Sequence, residues 1–304
     1  MKQKQRSQGL NLGIIGFSDG NGHPYSWSAI CNGYDSDLME KCGFPVIPRY
    51  LEKNKFPDAA IPNARVTCVW TQEKSLSQKI AETCYIEKVV DSLEEMIPHV
   101  DGILLARDDA ENHYEFAKPF LEEGLPIYID KPLAFSVSEA KKIFDTQKYP
   151  GQIFTCSALK YADELNLSQL QLSSLGEICL IKGQVPKSWN RYAIHIIEPI
   201  LRNISLGSNI IDQKVIFKNE STTLKLIWDN KIEMEIHASG HNTTPIVIEA
   251  VGINKVSYRL HFCDPFNCFK KALEDFVDSI FSYSVKTPEE SVLRSLEILE
   301  MGIK

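Results

Sequence analysis

The chain has 304 residues, 43% of them hydrophobic and 24% charged, and carries a formal net charge of -7. That balance describes a globular protein with room for two domains, and the acidic surplus without a Lys/Arg cluster argues against a nucleic-acid partner. No apolar stretch approaches the roughly 18 residues needed to span a bilayer.

The basic opening Met1–Arg6 resembles the start of a signal peptide, but Asn11, Gly13 and Gly16 break the apolar run behind it, so Leu10 to Gly16 predicts a first strand. Eight cysteines are scattered without any C-x-x-C pair. That pattern predicts buried thiols in a reducing, cytoplasmic setting rather than disulfides or a zinc site.

Strand-like and helical patterns then alternate, which predicts a parallel sheet wrapped by helices. Arg65 to Trp70 is the second strand and Tyr85 to Val90 a weaker third. Gly102 to Ala106 and Pro126 to Asp130 are apolar throughout, as strands buried on both faces are. Capping boxes at Asp91–Glu94 and Ser136–Glu139 open two helices, and Glu111 to Glu123 forms another that ends at Gly124. Tyr34 to Asn63 carries four prolines and reads as an insertion of loop and short helix. A ligand cover and a plain surface excursion are both open for it.

Beyond about residue 150, strands follow strands. Gln152–Ser157, Glu177–Val185, Val215–Lys218, Thr222–Trp228, Lys231–Ala238, Ile246–Ala250 and Lys255–Leu260 predict an antiparallel sheet, with a turn at Asp229-Asn230. Two amphipathic helices, Phe266–Phe281 and Pro288–Met301, follow.

Two segments carry chemistry. The first strand runs into Gly16-Phe17-Ser18-Asp19-Gly20-Asn21-Gly22-His23, where glycines let backbone and helix start approach a pyrophosphate. Ser18 stands where the middle glycine is usual, so a plain glycine-rich turn is equally open. Further on, Asp130-Lys131-Pro132-Leu133-Ala134 places a lysine at the carboxyl end of a strand, the ligand edge of open α/β sheets. Asp108, Asp109 and Glu111 read as acids serving a helix N-terminus. His237 and His241 lie in a strand-and-turn pattern, so no metal is expected.

The run Asp101 to Phe144, with Leu105-Ala106-Arg107-Asp108-Asp109, His113, Ala117, Gly124-Leu125-Pro126 and Asp130-Lys131-Pro132, resembles the Gfo/Idh/MocA oxidoreductases and their (E/D)-K-P motif. Phe266–Phe281 and Thr287-Pro288-Glu289-Glu290-Ser291 are similar to that family's closing helices, so the likeness covers nearly the whole chain.

The resemblance implies an α/β protein with a doubly wound Rossmann domain over residues 1–134. A substrate-binding and oligomerisation domain with an open, mostly antiparallel sheet would cover 135–304, with the active site between the two. NAD or NADP is the implied cofactor, near Gly16, Ser18, Gly20, His23, Thr71, Ala106, Arg107, His113, Asp130 and Lys131. The NAD/NADP choice is open because Thr71-Gln72-Glu73 follows the second strand. The implied substrate is a sugar, sugar acid, polyol or nucleotide-linked sugar.

The family lysine corresponds to Lys131, and the histidine of its D-x-x-x-H pattern to His195. Arg191 replaces that aspartate, which suits a carboxylate or phosphate on the substrate. Lys160 and Tyr161 match a substrate-facing pair, and Glu198 shares a helical face with His195 and is expected to set its tautomer. The implied assembly is a homo-oligomer. The alternative is a non-catalytic, cofactor-binding sensor, which Ser18 and Arg191 favour.

Overall fold

The computed structural model describes residues 9–304; the Met1–Arg6 stretch lies outside the described residues. The chain forms two compact units. One takes the described residues through Ala134, Ser138–Cys156 and Phe269–Glu290, and the other Phe135–Val137, Ser157–Cys268 and Ser291–Lys304.

The first unit holds six strands, β1 (Leu10–Ile15), β2 (Ala64–Trp70), β3 (Lys88–Val89), β4 (Gly102–Leu105), β5 (Ile127–Ile129) and β6 (Ile153–Thr155), in the order β3-β2-β1-β4-β5-β6. Every neighbouring pair is parallel. This is the doubly wound Rossmann order, whose direction of winding reverses between β1 and β4. All residues of β4, β5 and β6 are buried, which explains why their sequences are apolar throughout rather than alternating.

One expectation is corrected here. Ile153–Thr155, read as the opening of the antiparallel sheet, pairs with β5 in the parallel sheet. Its short, fully apolar run carries no signal of direction, and only the partner decides it. Two helix starts also shift. Ser92, not Asp91, is the cap, accepting from the Glu95 amide while Glu95 accepts from Asp91. The helix expected from Glu111 begins at His113, after a tighter turn over Ala110–Asn112.

The second unit holds β7 (Ile178–Val185), β8 (Ile210–Lys218), β9 (Ser221–Trp228), β10 (Glu233–Ala238), β11 (Val247–Gly252) and β12 (Ser257–His261), ordered β12-β11-β7-β10-β9-β8. All pairs are antiparallel except β7 with β10. Alternating burial in β9 and β10 marks a sheet with one covered face. The helix Ile194–Asn203 supplies cover through Ile196, Ile197 and Ile200, each fully buried. It lies so close to β7 that a Cβ on Gly183 would sit 2.3 Å from Ile196 Cγ2; that glycine lets the helix carrying His195 seat on the sheet.

Candidate active site

Three loops leave the carboxyl edge of the first sheet side by side. Gly16 N donates to Trp70 O (3.0 Å), Ala106 N to Ile15 O (2.9 Å) and Asp130 N to Leu105 O (3.0 Å), each extending the ladder past the end of its strand. Gly16, Ala106 and Asp130 therefore begin the segments that frame the crevice at the β1/β4 switch point.

The glycine-rich turn is tied to both neighbours. Ser18 Oγ donates to Asp108 Oδ1 at 2.7 Å and accepts from the Asp108 amide at 3.1 Å, so its side chain is turned toward the Ala106–Asp109 loop. Gln72 forms a two-way pair with Phe17: its Oε1 accepts from Phe17 N at 2.9 Å and its Nε2 donates to Phe17 O at 2.6 Å. Thr71, expected near the ribose, spends its hydroxyl on Glu73 O (2.7 Å) and Ser77 Oγ (2.9 Å). Gln72 thus makes the hydrogen bonds to the turn, while Thr71 meets it only through its methyl, which would lie 3.5 Å from a Cβ on Gly16.

Arg107 grips Asp109 through two bonds of 2.9 and 2.6 Å, and its guanidinium lies 4.2 Å from the centre of the Phe116 ring. Burial would raise the Asp109 carboxyl, but hydrogen bonds from Arg107 and Asn112 and the Arg107 charge hold it below its usual range. Asp108 and Asp109 therefore fasten the loop, and Asp109 also stands at the N-cap of the turn Ala110–Asn112. His113 is fully buried, with Nδ1 3.0 Å from Leu133 O and Nε2 2.8 Å from Arg107 O. It ties the loop after β4 to the one after β5, so its role is support.

Asp130 is the charged centre of the crevice and is 1% exposed. Its Oδ2 accepts from His23 Nδ1 (2.7 Å) and Asn21 Nδ2 (3.0 Å), and its Oδ1 accepts from Lys131 N (2.8 Å). The Lys131 ammonium, itself buried, lies 4.0 Å from Oδ2. Burial alone would raise the Asp130 carboxyl; the charges of His23 and Lys131, with the bonds from the His23 ring and the Lys131 amide, outweigh it and hold the group well below the carboxylate range.

A second cluster is built within the other unit. Ser157 Oγ lies 2.8 Å from His195 Nδ1, and Glu198 Oε2 accepts from the Ser157 amide at 2.8 Å. The expectation that Glu198 sets the His195 tautomer is corrected: Ser157 makes that bond, and Glu198 steadies Ser157. Burial pushes the Glu198 carboxyl up to about 7, against the lowering pull of Lys160 and of the Ser157 amide. Tyr161 has the Lys160 ammonium 5.0 Å from its ring and the Arg202 guanidinium at 5.2 Å. Arg191 lies on the short helix Trp189–Tyr192 just before His195. His237 bonds Thr223 and the exposed His241 pairs with Glu220, so the two histidines serve different neighbours.

Residues 49–157 match the profile of a family described as the Gfo/Idh/MocA oxidoreductases, NAD-binding Rossmann fold. The matched segment spans β2 to β6 and includes Asp130-Lys131-Pro132 but begins after the glycine-rich turn. No curated protein matches the chain.

Among solved structures, myo-inositol 2-dehydrogenase from Lactobacillus plantarum is 12% identical with a TM-score of 0.72, covering 96% of this chain and 95% of that one. Scyllo-inositol dehydrogenase from Lactobacillus casei with bound NAD(H) and scyllo-inositol is 12% identical (TM-score 0.68, 96% and 95% covered). UDP-N-acetylglucosamine 3-dehydrogenase from Acidithiobacillus ferrooxidans is 11% identical (TM-score 0.68, 96% of each chain). At such identities the likeness is one of fold, and it extends over both units.

The glycine-rich turn of this chain fits a dinucleotide's pyrophosphate. Among the described residues the amides of Asp19, Gly20 and Gly22 have no acceptor, and Gly20 has φ +77° with open space where a Cβ would stand. Those amides precede the ten-residue helix His23–Asn32, whose N-cap is Gly22, so donors and helix dipole act together. Gly22 also meets the insertion: a Cβ there would lie 2.6 Å from Ile47 Cδ1 and 2.8 Å from Phe44 Cγ. The proline-rich segment therefore packs directly on the turn.

Gln72, Asn21 and Ser157 were not expected from sequence. Gln72 directly follows a strand and Asn21 sits among the turn glycines, positions that carry a signal only once the carboxyl edge is known.

Proposed function

We propose that this chain is an NAD(P)-dependent oxidoreductase that moves hydride between the nicotinamide and a carbon of a sugar, sugar acid, polyol or nucleotide-linked sugar. The observation that carries the reading is Lys131, a buried ammonium at the end of β5, 4.0 Å from Asp130 and tied through it to the glycine-rich turn. Bound nicotinamide supplies the hydride acceptor or donor.

In this reading the backbone at Gly16, Ser18, Gly20 and Ala106 lines the dinucleotide. Thr71, Arg107 and His113 hold that frame. Lys131 lies on the substrate oxygen and stabilises negative charge as it develops, while His195 takes up or returns the hydroxyl proton. Lys160, Tyr161, Arg191 and Glu198 bind the substrate, with Arg191 favouring a carboxylate or phosphate on it. The scyllo-inositol bound by the Lactobacillus casei relative supports a polyhydroxylated substrate. A cytoplasmic setting accords with none of the eight cysteines being in a disulfide.

A second reading is a cofactor-binding sensor without turnover. It is favoured by Ser18, whose side chain occupies the middle-glycine position, and by Arg191 in place of aspartate.

NADH fluorescence titration combined with turnover of inositols, sugar acids and nucleotide-linked sugars tests the proposal. Lys131→Met is expected to keep NADH affinity within about threefold and to lower turnover by about 100-fold or more. NADH binding with no turnover on any substrate, unaffected by the substitution, would establish the sensor reading instead.

A further inference from the structure

We propose that His23 is a proton-transfer residue of the Lys131 site, oriented by the buried Asp130 carboxylate and working through Nε2. The inference rests on the oxidoreductase reading for its reaction, but not for its geometry. His23 Nδ1 lies 2.7 Å from Asp130 Oδ2, and Asp130 also has Lys131 within 4.0 Å of that same oxygen. Imidazole and ammonium therefore converge on one carboxylate.

The tautomer follows from the partner. Asp130 is held ionised by its surroundings, and an ionised carboxylate only accepts. Nδ1 must then carry a hydrogen, so the neutral ring presents a lone pair at Nε2. No hydrogen-bond partner for Nε2 exists among the described residues.

The ring's other contacts are apolar. It stacks on Trp27 at 5.0 Å between centroids and meets Phe269 edge-on at 5.1 Å. Asp130 is the ionisable group in direct contact with His23, and Lys131 lies behind it. Trp27 and Phe269 carry no charge, so the carboxylate alone fixes the ring's hydrogen-bonding sense. Solvent still reaches the residue, whose side chain is 17% exposed.

An imidazole bonded at Nδ1 to a buried carboxylate is suited to take a proton at Nε2, because the carboxylate stabilises the imidazolium that forms. In the oxidising direction the substrate O–H bond breaks and its proton goes to His23 Nε2, which here takes the proton-accepting role given above to His195. The C–H bond's electron pair leaves as hydride to NAD(P)+, and a C=O bond forms. Reduction runs the same transfers in reverse. Asn21, which shares Asp130 Oδ2 at 3.0 Å, keeps the carboxylate in place as the ring changes charge.

The tautomer can be measured without a substrate, by long-range 1H–15N NMR on the 15N-histidine-labelled full chain at pH 8, with His23→Asn identifying the signals. Nδ1 is expected to bear the proton and Nε2 the lone pair, with the preference lost in Asp130→Asn. An Nε2-protonated ring in the wild type overturns the proposal whatever the enzyme's activity.

The second arm uses NAD+ and the polyol panel. His23→Asn retains an amide that can donate to Asp130 but cannot carry a proton. NADH affinity within about twofold of wild type, with turnover lower by about 100-fold and a pH-rate limb removed, supports the proposal. Wild-type turnover in His23→Asn overturns it and leaves the proton to His195. Failure of the oxidoreductase reading would show separately, as absent NADH binding or absent wild-type turnover.

Discussion

Ser157 and His195 share a 2.8 Å hydrogen bond inside the second unit, and the Ser157 amide in turn donates to Glu198 at 2.8 Å. The Ser157 hydroxyl also accepts from the Leu159 amide at 3.3 Å, so its oxygen is fixed by the chain turn that follows β6. The imidazole is thus oriented by a short polar side chain anchored at two points. Ser157→Ala removes this bond while leaving the Glu198 contact, which is made to backbone. Turnover is expected to fall by about 10- to 100-fold, the usual cost of losing an orienting partner. NADH affinity should be unchanged, and chemical denaturation should show about 1 kcal/mol lost. Unchanged turnover would remove Ser157 from the machinery.

Glu198 makes stability depend on pH in an unusual sense. Its carboxyl is raised by burial from 4.5 to about 7, so between those values the folded state holds a proton that the unfolded state has released. Stability therefore falls as pH rises through this window. Below it both states are protonated and no penalty exists; above it the folded state bears a buried charge in full. Glu198→Gln, which keeps an oxygen for the Ser157 amide, is expected to gain about 3 kcal/mol on wild type between pH 4.5 and pH 8. Denaturant melts at the two pH values measure it, and a difference independent of pH would contradict the assignment.

Much of this was legible in the sequence, for reasons that differ by residue. The strands around Leu104 and Ile129 announce themselves because burial on both faces leaves no polar position. Lys131 stands out because a lysine closing an apolar strand needs a partner, and Asp130 supplies it. Pairwise geometry was not legible: nothing in the spacing of Gln72 and Phe17, 55 residues apart, marks the pairing of the Gln72 side-chain amide with the Phe17 backbone. The same holds for Ser157 and His195, 38 residues apart. Glu198 was expected to act on His195 because helical spacing put both on one face, yet the nearer group came from another segment. Periodicity reports which face a residue occupies and is silent on what reaches it first.

The edge strand β8 carries the oligomerisation proposal. Ile211 is 52% exposed, Ile216 39% and Phe217 41%, and an uncovered apolar edge strand is a ready pairing surface. Self-association through the second sheet is expected at micromolar concentration, and Phe217→Lys should shift the chain toward monomer. Light scattering decides it: a wild-type monomer contradicts the proposal, and so does an oligomer that Ile216→Lys and Phe217→Lys together leave intact.

Gly22 tests whether the insertion roofs the phosphate turn. Its backbone, at φ -88° and ψ 9°, is open to any residue, so an alanine there incurs a steric cost from its neighbours alone. Those are Ile47 Cδ1 at 2.6 Å and Phe44 Cγ at 2.8 Å from the added Cβ. Overpacking of this kind costs about 1–3 kcal/mol where side chains cannot retreat. Gly22→Ala is therefore expected to lower thermal stability and weaken NADH binding by about tenfold or more, because the insertion and the helix start can no longer close together. Ile47→Ala added to it should restore most of both, since the shortened side chain leaves room for the methyl. If the single variant binds NADH as the wild type does, the Phe44–Ile47 contact does not shape the turn. If the double variant fails to recover, the loss belongs to Phe44, whose Cγ would still lie 2.8 Å from the added Cβ.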